Sequence, residues 1–338
     1  MRMGDDELKS QYLSHLAMAR ESKSFTDCLY AVLTGCGHFQ GPKYMLSGLT
    51  AMAFKFTVHQ RLEPLSVTAY GRWGIEHWPA VDNLGVFTVT DGGYVRHPTF
   101  PSYQKEAVQA VKESLNQGKG VIYWLPEFAV IRGYDDGDGV FYLMDGSAED
   151  QILLYDNFGL NVTPFWYIQL FGDKVVVPEK DMILESVRMA VSDWETPYKT
   201  LPSKDIASGR LAYDYLMNGL RNGIFDENGA VYILESYAYS RKEIRDYLRQ
   251  AKGIWPELHP AFKLYNQLAG MLETLPGMFI QTPHGKQVNR SAIPLLVDML
   301  HQARYIEDQA MIVFRETSCS YPDRKRSTLP RWGAHTVR

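Results

Sequence analysis

Cysteine is scarce: Cys28, Cys36 and Cys319 are the only three in 338 residues. So few, and an odd number, exclude a disulfide-stapled scaffold and imply reduced thiols. No Cys/His spacing of zinc-site type occurs, so neither a metal nor another cofactor is expected. Excess charge is also missing. A net charge of -4 leaves no basic field to hold nucleic acid, and the one dense basic run, Arg324-Lys325-Arg326, reads as a solvated tail. No apolar run approaches the roughly 20 residues of a membrane span. The opening MRMGDDELKSQYL lacks the apolar core of a secretion signal. The expectation is a cytoplasmic protein with no nucleic-acid or membrane partner. A phosphate loop is excluded too: Gly133, Gly137 and Gly139 fall in a strand turn with no following Lys-Ser/Thr, and Gly35 and Gly37 read as a helix stop.

What the chain does have is core-forming material, at 45% apolar and 22% charged residues, enough for two domains. Helical spacing is read over 6–22, 28–34, 41–54 and 103–115. Short strands follow one another over 121–125, 128–134, 140–144, 151–155 and 165–170, separated by Gly/Asp turns, which predicts an antiparallel meander. Further strands are predicted at 55–59, 65–67 and 86–90. Beyond about 179 the periodicity is helical at 182–194, 206–222, 240–252, 261–274 and 292–316, punctuated by prolines. Helices, then sheet, then helices make an α+β fold, with an α+β domain over 1–177 and an α-helical domain over 178–338.

Two stretches could carry chemistry. Asp27-Cys28 stands where a helix is read to start, and unpaired N–H groups at a helix tip stabilise a thiolate. About a hundred residues later, Glu127 opens the run FAVIRGYDD, and the next strand ends in Asp145. A helix-borne cysteine, a distant strand reaching Gly133-Tyr134-Asp135, and a following strand ending in Asp resemble the papain-like bacteriocin leader peptidases. With Leu46-Ser47-Gly48-Leu49, Ala53-Phe54, Ser208 to Tyr213 and Arg241 to Leu248, the chain more closely resembles the butirosin-biosynthesis H-protein family. That resemblance implies a papain-like cysteine peptidase fold used for acyl transfer in specialised metabolism. Its substrate would be an amine or peptidyl compound, presented in one version on an acyl carrier protein. Carried over, Cys28 would be the nucleophile and Asp145 the orienting acid.

The family's histidine is Glu127 here. Thiol and carboxyl reference pKa values differ by about 4 units, so proton transfer between them costs roughly 5–6 kcal/mol. A charged carboxylate also raises a neighbouring thiol's pKa. Three readings are open. Glu127 is the base of an altered chemistry on amines; or His38, His59, His77 or His97 supplies the imidazole; or catalysis is lost and the cleft binds a small cation or a partner peptide. Asp27, Arg72, His77, Tyr134 and Asn157 are the candidate substrate contacts. Arg72 and His77 lie within the aromatic run YGRWGIEHW, a credible pocket wall, whereas Asn157 is as well explained by a turn. A homo-oligomer is left open.

Overall fold

The computed structural model describes residues 9–199 and 204–321. The protein is a mixed α/β chain with an antiparallel sheet and a C-terminal helical region. It divides into two compact units. One comprises the described residues up to Leu46 together with Leu84–Val176; the other comprises Ser47–Asn83 together with the described residues from Val177 onward. The second therefore also draws on residues 47–83, which the linear reading assigned to the first domain.

In the first unit, a seven-stranded sheet is built from β1 (Ser10–Tyr12), β3 (Val86–Tyr94), β4 (Val121–Trp124), β5 (Phe128–Asp135), β6 (Val140–Met144), β7 (Gln151–Leu154) and β8 (Phe165–Lys174). The strand order is β3-β8-β4-β5-β6-β7, with β1 paired to the far end of β5, and every pairing is antiparallel. All four residues of β4 are buried, as are Phe128 to Ile131 of β5, so the central strands are covered on both faces. Helices α1 (Ser24–Gly35) and α4 (Phe100–Asn116) pack against β4 and β5.

The segment over 6–22 is not the helix its spacing suggests. Over its described part, Tyr12 pairs with Gly133 on β5, and Leu13 and Leu16 are buried. The recurring apolar residues anchor an extended arm rather than one helix face. That arm explains Gly133: a Cβ there would stand 2.8 Å from the Gln11 carbonyl oxygen and 2.7 Å from the Tyr12 ring, a closeness only glycine tolerates.

In the second unit, α3 (Trp73–Asp82), α5 (Glu179–Glu195), α6 (Arg210–Asn222), α7 (Glu227–Ile254), α8 (His259–Leu272) and α9 (Ile293–Ser320) pack with two small antiparallel pairs, β2 (Thr57–His59) with β9 (Ile206–Ser208) and β10 (Phe279–Thr282) with β11 (Gly285–Val288). The chain passes from the first unit to the second within α2 (Lys43–Leu49). The expected strand at 65–67 is instead a short 3-10 turn over Pro64–Thr68. Pro64 presets its first residue, and the Thr57 hydroxyl donates to the Ser66 carbonyl at 2.5 Å. The α7 N-terminus is capped by the Asp226 carboxylate, which accepts the Gly229 N–H at 2.6 Å. Among the described residues no helix is long and apolar enough to cross a membrane.

Candidate functional site

The two chemistry-bearing stretches meet at α1, one turn earlier than the sequence suggests. The helix begins at Ser24, so Cys28 is its fifth residue, and already at Asp27 the backbone N–H is bonded, to the Lys23 carbonyl at 3.1 Å. Cys28 therefore lacks the unpaired N–H groups of a helix tip. Its sulfur is fully buried and faces the Met18 thioether at 3.9 Å. Burial pushes the Cys28 thiol well above its ordinary range. Arg20 pulls it down, and Asp27, Glu127 and Asp145 push it further up.

Glu127 lies in the bend between β4 and β5, not within a strand. Its carboxylate accepts the Ser24 hydroxyl and stands 4.0 Å from an Arg20 terminal nitrogen. The same Ser24 oxygen accepts the Phe128 N–H at 3.2 Å. Asp145 follows β6. Burial would raise its pKa, but the Ser147 backbone and side chain, the Gln151 amide and Arg20 together hold it below the usual carboxylate range. Asp145 Oδ1 accepts the Ser147 N–H at 2.9 Å and Oδ2 the Gln151 amide at 2.5 Å. Arg20 Nε donates to the Asp145 carbonyl at 3.2 Å. Gly146, at φ +94°, lets this happen, since a Cβ there would stand 3.1 Å from Arg20 Cβ. Arg20 thus ties the Glu127 and Asp145 stretches to the approach of α1.

Asp27 serves the fold. Its buried carboxylate accepts the N–H groups of Glu21 and Ser22 and the Ser22 hydroxyl, and pairs with Lys43. It fixes the loop that carries Arg20. Tyr134 is buried on β5 and donates to Asn116 Oδ1 at 3.0 Å. Asn157 is exposed in a short turn over Tyr155–Asn157, where its carbonyl accepts the Leu160 N–H at 3.0 Å. Both of these contacts serve the fold.

The candidate histidines make contacts of their own. His38 bonds the Gly172 carbonyl at 2.8 Å. His97 closes a turn, its N–H donating to the Tyr94 carbonyl at 3.3 Å. His59, Arg72 and His77 belong to the second unit. His77 is fully buried and shares a 2.7 Å hydrogen bond with the Tyr70 hydroxyl. Burial, with Lys55 nearby, holds its pKa well below the ordinary value.

Ser24 and Arg20 are the members of this cluster that the sequence reading missed. Ser24 lies just ahead of the helix read from Cys28, and Arg20 carried no signal. Among the described residues no group of three His, Cys, Asp or Glu is arranged to hold a metal ion. What the cluster offers chemically is one cation flanked by two carboxylate-bearing turns beside a sealed thiol. No protein-family model and no curated protein matches the chain.

Proposed function

We propose that the first unit is a peptidase-like scaffold that binds rather than turns over, holding a small cationic ligand at the Glu127 and Asp145 turns. The observation that carries this reading is the Cys28 sulfur, fully buried against Met18 and pushed by burial toward the neutral thiol. A nucleophile needs a thiolate that a substrate can reach. Arg20 supports the ligand class. Its guanidinium stands near Glu127 and its Nε bonds the Asp145 carbonyl, as a ligand amine or guanidinium would. Carboxylates bind such cations through charge-assisted hydrogen bonds.

The competing reading is a cysteine-dependent acyl or amide transferase, or a hydrolase, on a peptidase-like fold. It requires the Cys28 sulfur to become accessible. Calorimetry on the full chain with agmatine, which carries both an amine and a guanidinium, separates the two. Binding that weakens roughly tenfold in Glu127→Gln and is unchanged in Cys28→Ala supports the scaffold reading. A burst of acyl transfer from an acyl thioester, lost in Cys28→Ala, overturns it.

A further inference from the structure

The second unit holds a cleft that neither the sequence nor the cluster around Glu127 accounts for. It lies between α5 and α9, has a volume of about 380 Å³, and is lined by Arg188, Val191, Ser192, Glu195, Arg315 and Cys319, among others. That volume is in the range of small-molecule sites. Its two arginines are engaged to different degrees. Arg188 is spent on the fold: Nη1 pairs with Glu185 at 3.2 Å, and Nη2 donates to the Tyr321 carbonyl at 2.5 Å, fastening the end of α9. Arg315 bonds Glu195 only through Nε, at 2.6 Å. Its two terminal nitrogens make no hydrogen bond among the described residues, and its side chain is 40% exposed.

We propose that this cleft binds a small organic monocarboxylate, with the terminal nitrogens of Arg315 as the fork that receives the carboxylate. A guanidinium edge presents two parallel N–H donors at the spacing of the two carboxylate oxygens. Arg188 adds positive charge from the α5 wall. The exposed Ser192 hydroxyl is a further donor. Val191 supplies an apolar wall for the ligand's body. Glu195 sets the charge preference. Its carboxylate lines the same cleft, so a dianion meets repulsion that a monoanion with an apolar body largely escapes.

Cys319 makes the site measurable, because it is exposed on the same wall. Alkylation there replaces the sulfur's proton by a carboxymethyl or carbamidomethyl group, with iodide leaving. Iodoacetate is itself a small monocarboxylate; iodoacetamide is its neutral twin. The experiment is alkylation of the full-length protein by each reagent, with the rate at Cys319 read by peptide mapping and normalised to the same pair of rates on N-acetylcysteine. The iodoacetate preference should exceed that of N-acetylcysteine roughly threefold or more, and benzoate should protect Cys319 while inorganic phosphate does so less well. Arg315→Gln should abolish both the preference and the protection, and Glu195→Gln should strengthen them. Because both residues are exposed at the surface, neither change threatens folding, and they move the readout in opposite directions. A normalised preference at or below one, no benzoate protection, or phosphate protecting better than benzoate would each overturn the proposal.

Discussion

The Ser24 hydroxyl and the Glu127 carboxylate, 103 positions apart in sequence, meet at the first turn of α1. Since the same oxygen accepts the Phe128 N–H, one buried hydroxyl staples the helix start to the start of β5. Cys28 lies one helical turn behind it, on the sealed side.

Ser24→Ala should therefore destabilise the first unit by about 1–3 kcal/mol, the cost of leaving the buried Phe128 N–H without its acceptor. Glu127→Gln keeps an acceptor for the hydroxyl and should cost less than about 1 kcal/mol. Urea unfolding followed by circular dichroism measures both. Equal effects would show that the staple is not what holds the helix start.

The three thiols should react in the order of their exposure: Cys319 first, Cys36 next, and Cys28 only when the unit opens. Because burial raises the Cys28 thiol, moving from neutral pH to about pH 9 should still leave it unlabelled by a disulfide exchange reagent. Mapped labelling of the native protein checks this. Early modification of Cys28 would contradict the buried geometry.

Acid should weaken the second unit in two steps. His77 is held neutral in the fold, below its unfolded pKa of about 6.5. Its unfolded form binds the extra proton, so stability falls as pH drops below that value, by up to about 2 kcal/mol at pH 5. Asp193 is fully buried, which would raise its pKa, but Lys55 and Lys199 hold it below the usual range. Its contribution is present above about pH 3.9 and is lost as pH falls further. Denaturant midpoints across pH 3–8 should show both slopes, and His77→Phe should remove only the upper one. At the alkaline end, Lys55 is raised by Asp193 and Glu76 against its own burial, so its contribution persists until the pH passes about 10.4 and then declines.

Arg241 and Glu307 join α7 to α9 by two hydrogen bonds of 2.9 Å, each side chain 1% exposed, and Glu307 also accepts the Tyr213 hydroxyl at 2.6 Å. Arg241→Met or Glu307→Leu alone strands a buried charge and should cost about 3–5 kcal/mol. The double variant should cost clearly less than the sum. A double-mutant cycle by chemical denaturation tests this; strict additivity would mean that the two groups do not depend on one another.

The strands of the first unit after β1 were legible because most are short runs rich in β-branched and aromatic residues with Gly or Asp close by. Val121 to Trp124 and Val140 to Met144 appear almost at their predicted bounds. The helices of the second unit from α5 onward were legible as periods, but their extents were not, and α3 was read only as an aromatic run. The spacing found only 240–252 of α7, whose full span is Glu227–Ile254. Three further features were hidden for a common reason, that their causes lie far along the chain. Leu13 and Leu16 imitate a helix face because nothing nearby reveals that Tyr12 pairs with Gly133. Residues 47–83 carry no sign that Thr57 will pair with Ser208 or that the Ser47 hydroxyl will donate to Glu243, at 2.7 Å. In the candidate site, Cys28 and Glu127 were visible as residue types. The burial of one and the engagement of the other with Ser24 depend on where α1 starts, which the local sequence did not fix.

The pairing of β2 with β9 also bears on how the chain must be made. Thr57 leaves the ribosome about 150 residues ahead of Ser208, and translation delivers strands β3 to β8 of the other unit's sheet in between. The early segment must wait, unpaired, for its partners, so the second unit cannot close until β9 and the helices after it have been made. For the same reason, cutting the gene at codon 177 does not isolate two folding bodies. It strands β2 and α3 on the wrong fragment, and a workable dissection has to excise 47–83 and rejoin it to the chain from Val177 onward.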